Sequence, residues 1–314
     1  MELYQFPFHA MGCPCELRFY ARSRQNAEQI ANSCIQEAKR FEQKYSRYRA
    51  DSVTTCINQS AGKTPVTIDE ETRAILHYAG VCYEQSEGLF DITSGVLRRV
   101  WNRERRFLPL ETEIQECLGL IGWTKVEITA DTAYLPIQGM ELDFGGVVKE
   151  YAADALSILA RSHSIEHGLV NLGGDIAIIG PQVDDKPWSI GIVHPIEVET
   201  PIAVIRLWHG ALATSGGYER YFDIGGKQFS HLINPKTGWP VDSLLSVSVA
   251  ADKAVVAGSI SSIALLRGTS DGLAWLKSSG SAYLAVDSEL QCHGHLVTDG
   301  DKFSDGNGRY PRKG

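Results

Sequence analysis

The chain has little of what marks a nucleic-acid or membrane protein. Its 314 residues carry 30 Lys and Arg against 38 Asp and Glu, for a net charge of -8, and no Lys/Arg run concentrates a positive field. Nucleic acid and anionic membrane are therefore poor candidates for a partner. No apolar run approaches membrane-spanning length, and the N-terminal MELYQFPFHAMGCPCELRFYARS has an acidic residue at position 2 and no signal-peptide core. The expected location is cytoplasmic. No period of 20–50 residues repeats, which excludes a solenoid or a propeller. Cysteine is too sparse and scattered for a disulfide framework: seven residues, an odd number, fit reduced thiols. Cys13-Pro14-Cys15 is also too tight for the usual C-x-x-C spacing.

What is present is a soluble globular composition, 43% hydrophobic and 22% charged, long enough for one large domain or two ordinary ones. Residues 3–20 alternate around Met11-Gly12 as a strand pair or a bent strand. From Gln25 to Tyr45 the apolar positions Ala27, Ile30, Cys34, Ala38, Phe41 and Tyr45 recur at helical spacing. Asp69 is a predicted N-cap, with Glu70 and Glu71 in the first turn, for a helix burying Ile75, Ala79 and Cys82. Residues 98–112 are basic and then Pro-broken, as a surface excursion would be. A short helix near Ile114–Leu120 and strands around Val126–Ile128 and Ala133–Ile137 follow. Further strands are expected at Trp188–Ile192, Ala203–Trp208, Leu245–Ala251 and Ala282–Val286, and helices at Ala254–Leu266 and Leu273–Leu276. Strands and helices mix without regular βαβ alternation, so the predicted class is α+β, helices packed on largely antiparallel sheets. Residues 1–290 form the domain and 291–314 a polar tail, whose Cys292, His293 and His295 are weak metal candidates.

The stretch Ser230-His231-Leu232-Ile233-Asn234-Pro235-Lys236-Thr237-Gly238 stands out among the loops. Strand-like residues end at a histidine before a Pro and a Gly, where a side chain can act as general base or acid, or can simply bond the turn. Asp143-Phe144-Gly145-Gly146-Val147-Val148-Lys149 joins a strand to an amphipathic helix through two glycines, the setting of an anion site. Its spacing is neither G-x-G-x-x-G nor that of a P-loop. Gly168–Ala177 reads as a buried strand interrupted by Gly173-Gly174, a bulge or a place where a ligand meets backbone. Thr214-Ser215-Gly216-Gly217-Tyr218 reads as a turn at a strand end. Tyr48, past a helix end, is a stacking ring or a core cap. Gly88-Leu89-Phe90-Asp91 is a tight turn with an aromatic beside a carboxylate, or a C-cap with a buried anchor.

In order along the chain, these clusters resemble the ApbE family of flavin transferases. The resemblance runs through Met11-Gly12, Ser46-Arg47-Tyr48 with Ser52, Ser86-x-Gly88-Leu89-Phe90-Asp91-Ile92-Thr93, and Asp143-Phe144-Gly145-Gly146 with Lys149 and Tyr151-Ala152-x-Asp154. It continues through Asn171-Leu172-Gly173-Gly174-Asp175, Thr214-Ser215-Gly216, and Ser230-His231 with Pro235 and Thr237-Gly238. The resemblance implies an FAD groove between two α/β parts. It also implies transfer of FMN from FAD to a Ser or Thr hydroxyl of an acceptor flavoprotein, with release of AMP. Magnesium would sit on the pyrophosphate, with Gly146 main-chain oxygen and Ser262 as ligands. His231 is implied as the base. Met11, Tyr48, Leu89, Phe90, Asp91, Asp143, Lys149 and Val241, with Thr214, Ser215 and Gly216, are implied as the FAD site. An FAD carrier without transfer activity, or hydrolysis of FAD to FMN and AMP, are the alternatives.

The chain departs from the family pattern at three places. Magnesium-binding members usually show Ala-Asp-x-x-x-Thr late in the chain, whereas this one has Ala257-Gly258-Ser259-Ile260-Ser261-Ser262. Asn234 replaces an Asp, and Lys149 is followed by Glu150 where Gly is common. Asp252 and Asp271 flank the Gly258 segment and are candidates to replace its carboxylate.

Overall fold

In the computed structural model, which describes residues 1–102, 104–197, 200–217, 221–242, 244–294 and 296, the N-terminal alternation forms a hairpin. β1 (Glu2–Ala10) pairs with β2 (Cys13–Ala21), Ala10 opposite Cys13, so Met11 and Gly12 make the turn. Both have positive φ, 52° and 69°, the backbone twist that a two-residue hairpin turn needs. α1 (Arg24–Tyr45), capped by Ser23, buries the face its spacing predicts. The seven-residue α2 (Val53–Gln59) is not apparent from the sequence, because about two turns are too few to display a period. β3 (Val66–Thr67) leads to α3 (Glu70–Gln85), where the Asp69 carboxylate accepts from the Thr72 N–H at 2.9 Å. α4 (Glu111–Gly119) precedes β4 (Glu127–Ile128) and β5 (Thr132–Tyr134), which form a small sheet with β3.

The stretch before α4 differs from the predicted surface excursion. Trp101 is fully buried and its indole N–H donates to the Gly238 carbonyl at 2.7 Å, while Phe107, Leu108 and Leu110 are exposed. A basic composition masked one large anchor.

α5 (Val148–Ser162) runs into β6 (Gly168–Leu172) and β7 (Asp175–Gly180). The glycine pair is neither a bulge nor an interruption of one strand. Gly173 and Gly174, with φ of 61° and 94°, form a turn closed by the Gly174 N–H donating to Asn171 Oδ1. β8 (Trp188–Val193) and β9 (Pro201–Leu207) make a separate hairpin. β10 (Ala211–Gly216) contains Thr214–Gly216, which therefore end a strand rather than form a turn; Tyr218 lies outside the described residues. β11 (Tyr221–Ile224) and β12 (Lys227–Ser230) pair, and β12 stops immediately before His231. β13 (Ser246–Ala251), α6 (Ala254–Leu266), α7 (Thr269–Ser279), β14 (Ala282–Val286) and β15 (Cys292–Gly294) complete the order. β15 falls in the predicted tail. It pairs with β14, and His293 Nε2 lies 2.8 Å from Asp287 Oδ2; His295 and residues 297–314 lie outside the described residues.

Eight strands form one antiparallel sheet in the order β1-β2-β6-β7-β10-β13-β14-β15, in keeping with the predicted α+β class. Alternation decides what covers each face. Leu169, Ile176, Ile178, Leu212 and Leu284 pack with Trp188, Ile190 and Ile205 of the β8–β9 hairpin. Val170, Leu172, Ala177 and Ile179 pack with α1, α3 and α5, and Ala213, Val247, Val249 and Ala285 with α6 and α7. Among the described residues no helix is long and apolar enough to cross a membrane, and all seven cysteines are unbridged.

α6 is buried nearly all round, with 11 of its 13 residues in the interior. Such a helix has few water partners for its ends. Asp154 of α5 supplies them at the N-terminal end: Oδ1 accepts from the Ala254 N–H at 2.8 Å and Oδ2 from the Val255 N–H at 3.0 Å. Removing that carboxylate leaves two interior donors unpaired. Asp154→Ala is expected to lower unfolding free energy by about 1–3 kcal/mol in urea titration, and Asp154→Asn by less. An Ala variant as stable as the wild type would show that these amides find other partners.

Candidate functional site

Strand register brings several predicted residues to one end of the large sheet. β2 begins opposite the end of β6, Cys15 facing Leu172, so the Met11-Gly12 turn lies beside Gly173-Gly174. The Gly173 N–H donates to the Pro14 carbonyl at 3.0 Å, and a Cβ at Gly173 would stand 2.7 Å from Cys13 Sγ. β7 starts at this end with Asp175. β10, antiparallel to it with Leu212 opposite Ile176, finishes there with Thr214-Ser215-Gly216.

Two residues of α5's first turn reach into this corner. Lys149 Nζ is 2.9 Å from Asp175 Oδ2, a carboxylate 1% exposed. Burial pulls the Lys149 ammonium toward neutrality, but Asp175 and Glu150 outweigh it and hold its pKa well above the ordinary lysine value. Glu150, 7% exposed, is the next residue. Burial first, and then the neighbouring Asp175 charge, push its carboxyl up to about 8. Its carboxyl faces that of Asp175, and no N–H or hydroxyl donor among the described residues reaches its Oε2.

α6 closes the corner from the other side. Ser215 Oγ lies 2.8 Å from Ser261 Oγ and 3.1 Å from Ser262 Oγ, while Ser261 Oγ donates to the Gly258 carbonyl at 3.0 Å. Thr214 Oγ1 is 2.8 Å from Ser248 Oγ. Asp252 and Asp271, the flanking candidates for a replacement carboxylate, are both exposed at helix starts. The side chain that stands over Gly258 is Glu150: a Cβ there would meet its Cγ at 2.6 Å and Oε1 at 3.0 Å.

His231 is half-buried just after β12, whose last residue meets the end of β10: a Cβ at Gly217 would lie 3.2 Å from Ser230 Oγ. Beyond it the loop closes on itself. Asn234 Oδ1 accepts from the Lys236 N–H at 2.8 Å, Gly238 N–H donates to the Asn234 carbonyl, and Val241 N–H to the Leu232 carbonyl. The side chain at 234 thus serves a turn, for which an amide oxygen suffices. Asn234, Thr237, Trp239, Val241 and Arg267 line a cavity of about 220 Å³. A larger one of about 550 Å³, lined by His77, Tyr83, Glu84, Trp123, Thr124 and Ile128 among others, touches none of the predicted residues.

The remaining predicted residues divide by what their polar atoms already do. Met11 and Leu89 are partly buried against the main core, and Phe90 is buried with its ring 3.3 Å from where a Gly146 Cβ would be. Tyr48 is 87% exposed, an available ring rather than a core cap. The Asp91 carboxylate is committed internally, accepting from the Thr93 N–H and hydroxyl at 2.8 and 2.6 Å and the Trp123 N–H at 3.1 Å. The structure places it as the cap of the Ile92–Arg99 3-10 helix. Asp143 accepts from the Gly145 N–H at 2.9 Å and pairs with Arg47 at 3.0 Å.

Arg47 is a residue that motif reading undervalued. It spans Glu141 Oε2 at 2.6 Å, Asp143 Oδ2 and the Gly95 carbonyl, pinning the Asp143 loop to the end of α1. Asn58 does similar work from α2, bonding both the N–H and the carbonyl of Leu142. Their positions beside Tyr48 and in a helix too short to read were the available signals.

Residues 11–285 match the profile of the ApbE family. The chain belongs to the ApbE family. Proteins named FAD:protein FMN transferase are similar to it: one from Klebsiella pneumoniae is 30% identical over 254 residues, 79% of this chain and 77% of its own. One from Treponema pallidum is 29% identical over 290 residues, 85% of this chain and 79% of its own. The solved ApbE protein of Thermotoga maritima superposes with a TM-score of 0.87 at 30% identity, covering 93% of this chain and 97% of that one. Within this ApbE-family chain, the Asp143 loop is held by charge. Burial opposes ionisation of Asp143, but Arg47 and Arg98 prevail and keep its carboxyl below the usual range. A depressed carboxyl contributes stability that is complete above its unfolded value, near pH 4, and is lost as pH falls through the lower folded value. Arg47→Met is expected to cost about 2–3 kcal/mol at neutral pH, less than the loss of a fully buried partner because Arg98 and Arg99 remain. The variant should also show a smaller stability loss below pH 4 (denaturant titrations across pH). An unchanged acid limb would contradict this role.

Proposed function

We propose that this chain is an FAD:protein FMN transferase that attaches FMN, through a phosphoester, to a Ser or Thr hydroxyl of an acceptor flavoprotein and releases AMP. The observation that carries it is the Lys149 ammonium, held by Asp175 at the start of α5, in the corner where the Met11 turn and Thr214–Gly216 also end. A pyrophosphate suits that place. The N-cap Val147 offers no side-chain acceptor to the first-turn N–H groups, which, with the helix dipole and Lys149, favour an anion.

The chemistry asks little covalent participation of the protein. The acceptor hydroxyl attacks the phosphorus of the FMN half, His231 takes its proton, the bond to the AMP oxygen breaks, and AMP departs with the electron pair. Tyr48, an exposed ring, is available to the flavin or adenine, Phe90 backs Gly146 from the core, and Val241 lines the cavity beside the His231 loop. A divalent cation, when bound, would neutralise charge on the pyrophosphate; Ser262 and the Gly146 carbonyl are its candidate ligands. Among the described residues no group of three His, Cys, Asp or Glu could cage a metal.

The test is incubation with FAD, magnesium and a Ser/Thr-containing acceptor, read by intact mass. His231→Ala is expected to slow labelling by about 10²–10⁴-fold while FAD still binds. Labelling at the wild-type rate would remove His231 from the mechanism, and AMP formed without acceptor would assign hydrolysis instead.

A further inference from the structure

Glu150 and Gly258 are 108 positions apart and occupy the same space. The Glu150 side chain lies where a side chain at 258 would project, its Cγ 2.6 Å and its Oε1 3.0 Å from the built Cβ position. Glu150 is 7% exposed, its carboxyl meets the Asp175 carboxyl, itself 1% exposed, and no N–H or hydroxyl donor reaches Oε2. Two buried carboxyls side by side cannot both ionise without a further cation, an arrangement that folding alone gives no reason to retain. Lys149 does not satisfy Glu150, because the ammonium is turned to Asp175. Gly258 also sits one helical turn before Ser262, so the carboxylate above it and the Ser262 hydroxyl belong to one face of α6.

We infer that Glu150 is the carboxylate ligand of a divalent cation in this chain, supplied from α5 in place of a side chain at 258 on α6. The inference rests on the flavin-transfer reading, since the cation would share the FAD pyrophosphate. The two departures from the family pattern, Glu for Gly after Lys149 and Gly for Asp at 258, are then one exchange: the carboxylate moves from one helix to the other and the vacated position loses its side chain to make room. A hard cation requires such an oxygen, and Ser262 with a main-chain carbonyl offers none of its charge. Gly258 is required for this arrangement, because any side chain there collides with Glu150.

Calorimetric titration of magnesium chloride into the FAD-saturated full chain tests it, with FAD affinity measured separately in chelator. Glu150→Gln should weaken magnesium by about 100-fold or more, since even outer partners of metal ligands cost 10–100-fold, and leave FAD affinity in chelator within a few-fold. Gly258→Asp alone should lower the melting temperature through the clash. The double variant Glu150→Gly with Gly258→Asp should recover both the melting temperature and magnesium affinity, which keeps the test decisive if either single variant folds poorly. Unaltered magnesium affinity in Glu150→Gln, or a folded double variant that does not regain it, overturns the inference while leaving flavin transfer standing. Failure of the wild-type chain to bind FAD overturns both.

Discussion

The Lys149–Asp175 ion pair fixes where the site lies. Asp175 is the first residue of β7, so its carboxylate is set by the sheet, and Lys149 is in the first turn of α5, so meeting it fixes where that helix begins. With α5 placed, Asp154 one turn further caps α6, and α6 in turn carries Ser261 and Ser262 to Ser215 at the end of β10. Sheet, two helices and a strand end are thereby locked around one small volume. Asp175 and Glu150 crowd one ammonium there, and burial with the Asp175 charge pushes the Glu150 carboxyl up to about 8, a strained composition for a core and an ordinary one for a site that takes a cation.

Much of the fold was legible because local rules agree with the tertiary result. The α1 face, the Asp69 cap, the break in the N-terminal alternation at Met11-Gly12 and the limits of α6 follow from period, cap chemistry and turn residues, and the β1–β2 pairing decides for a strand pair over a bent strand. Errors arose where one local signal had two outcomes. Gly173-Gly174 suits a bulge as well as a turn, and only the pairing of Leu172 with Asp175 decides for the turn. Thr214–Gly216 look like turn residues, yet as the end of β10 between β7 and β13 they take strand geometry, with their hydroxyls turned to Ser248, Ser261 and Ser262. In the predicted tail, three residues gain a partner in β14 that no local pattern announces.

The site was legible as a set of motifs and not as a geometry. Asp143 and Lys149 stand out by the glycine pair between them and His231 by the strand end before it, but the strand expected to reach Asp143 does not form, and whether Asp91 is free or used, or what pins Asp143, depends on contacts 30 to 100 positions away: Trp123 for the first, Arg47 for the second. The same holds for the carboxylate missing at 258. Sequence neighbours Asp252 and Asp271 were the natural substitutes, yet both are exposed, and the residue in place comes from a different helix.

The central claim is that FAD binds at the end of the sheet, its pyrophosphate on the start of α5. A crystal structure of the chain with FAD tests it most directly. The account predicts pyrophosphate oxygens within hydrogen-bond distance of Lys149 and the first-turn N–H groups of α5, with Thr214–Gly216 alongside. FAD seated instead in the cavity lined by Tyr83 and Trp123, with Lys149 and Asp175 untouched, would contradict it.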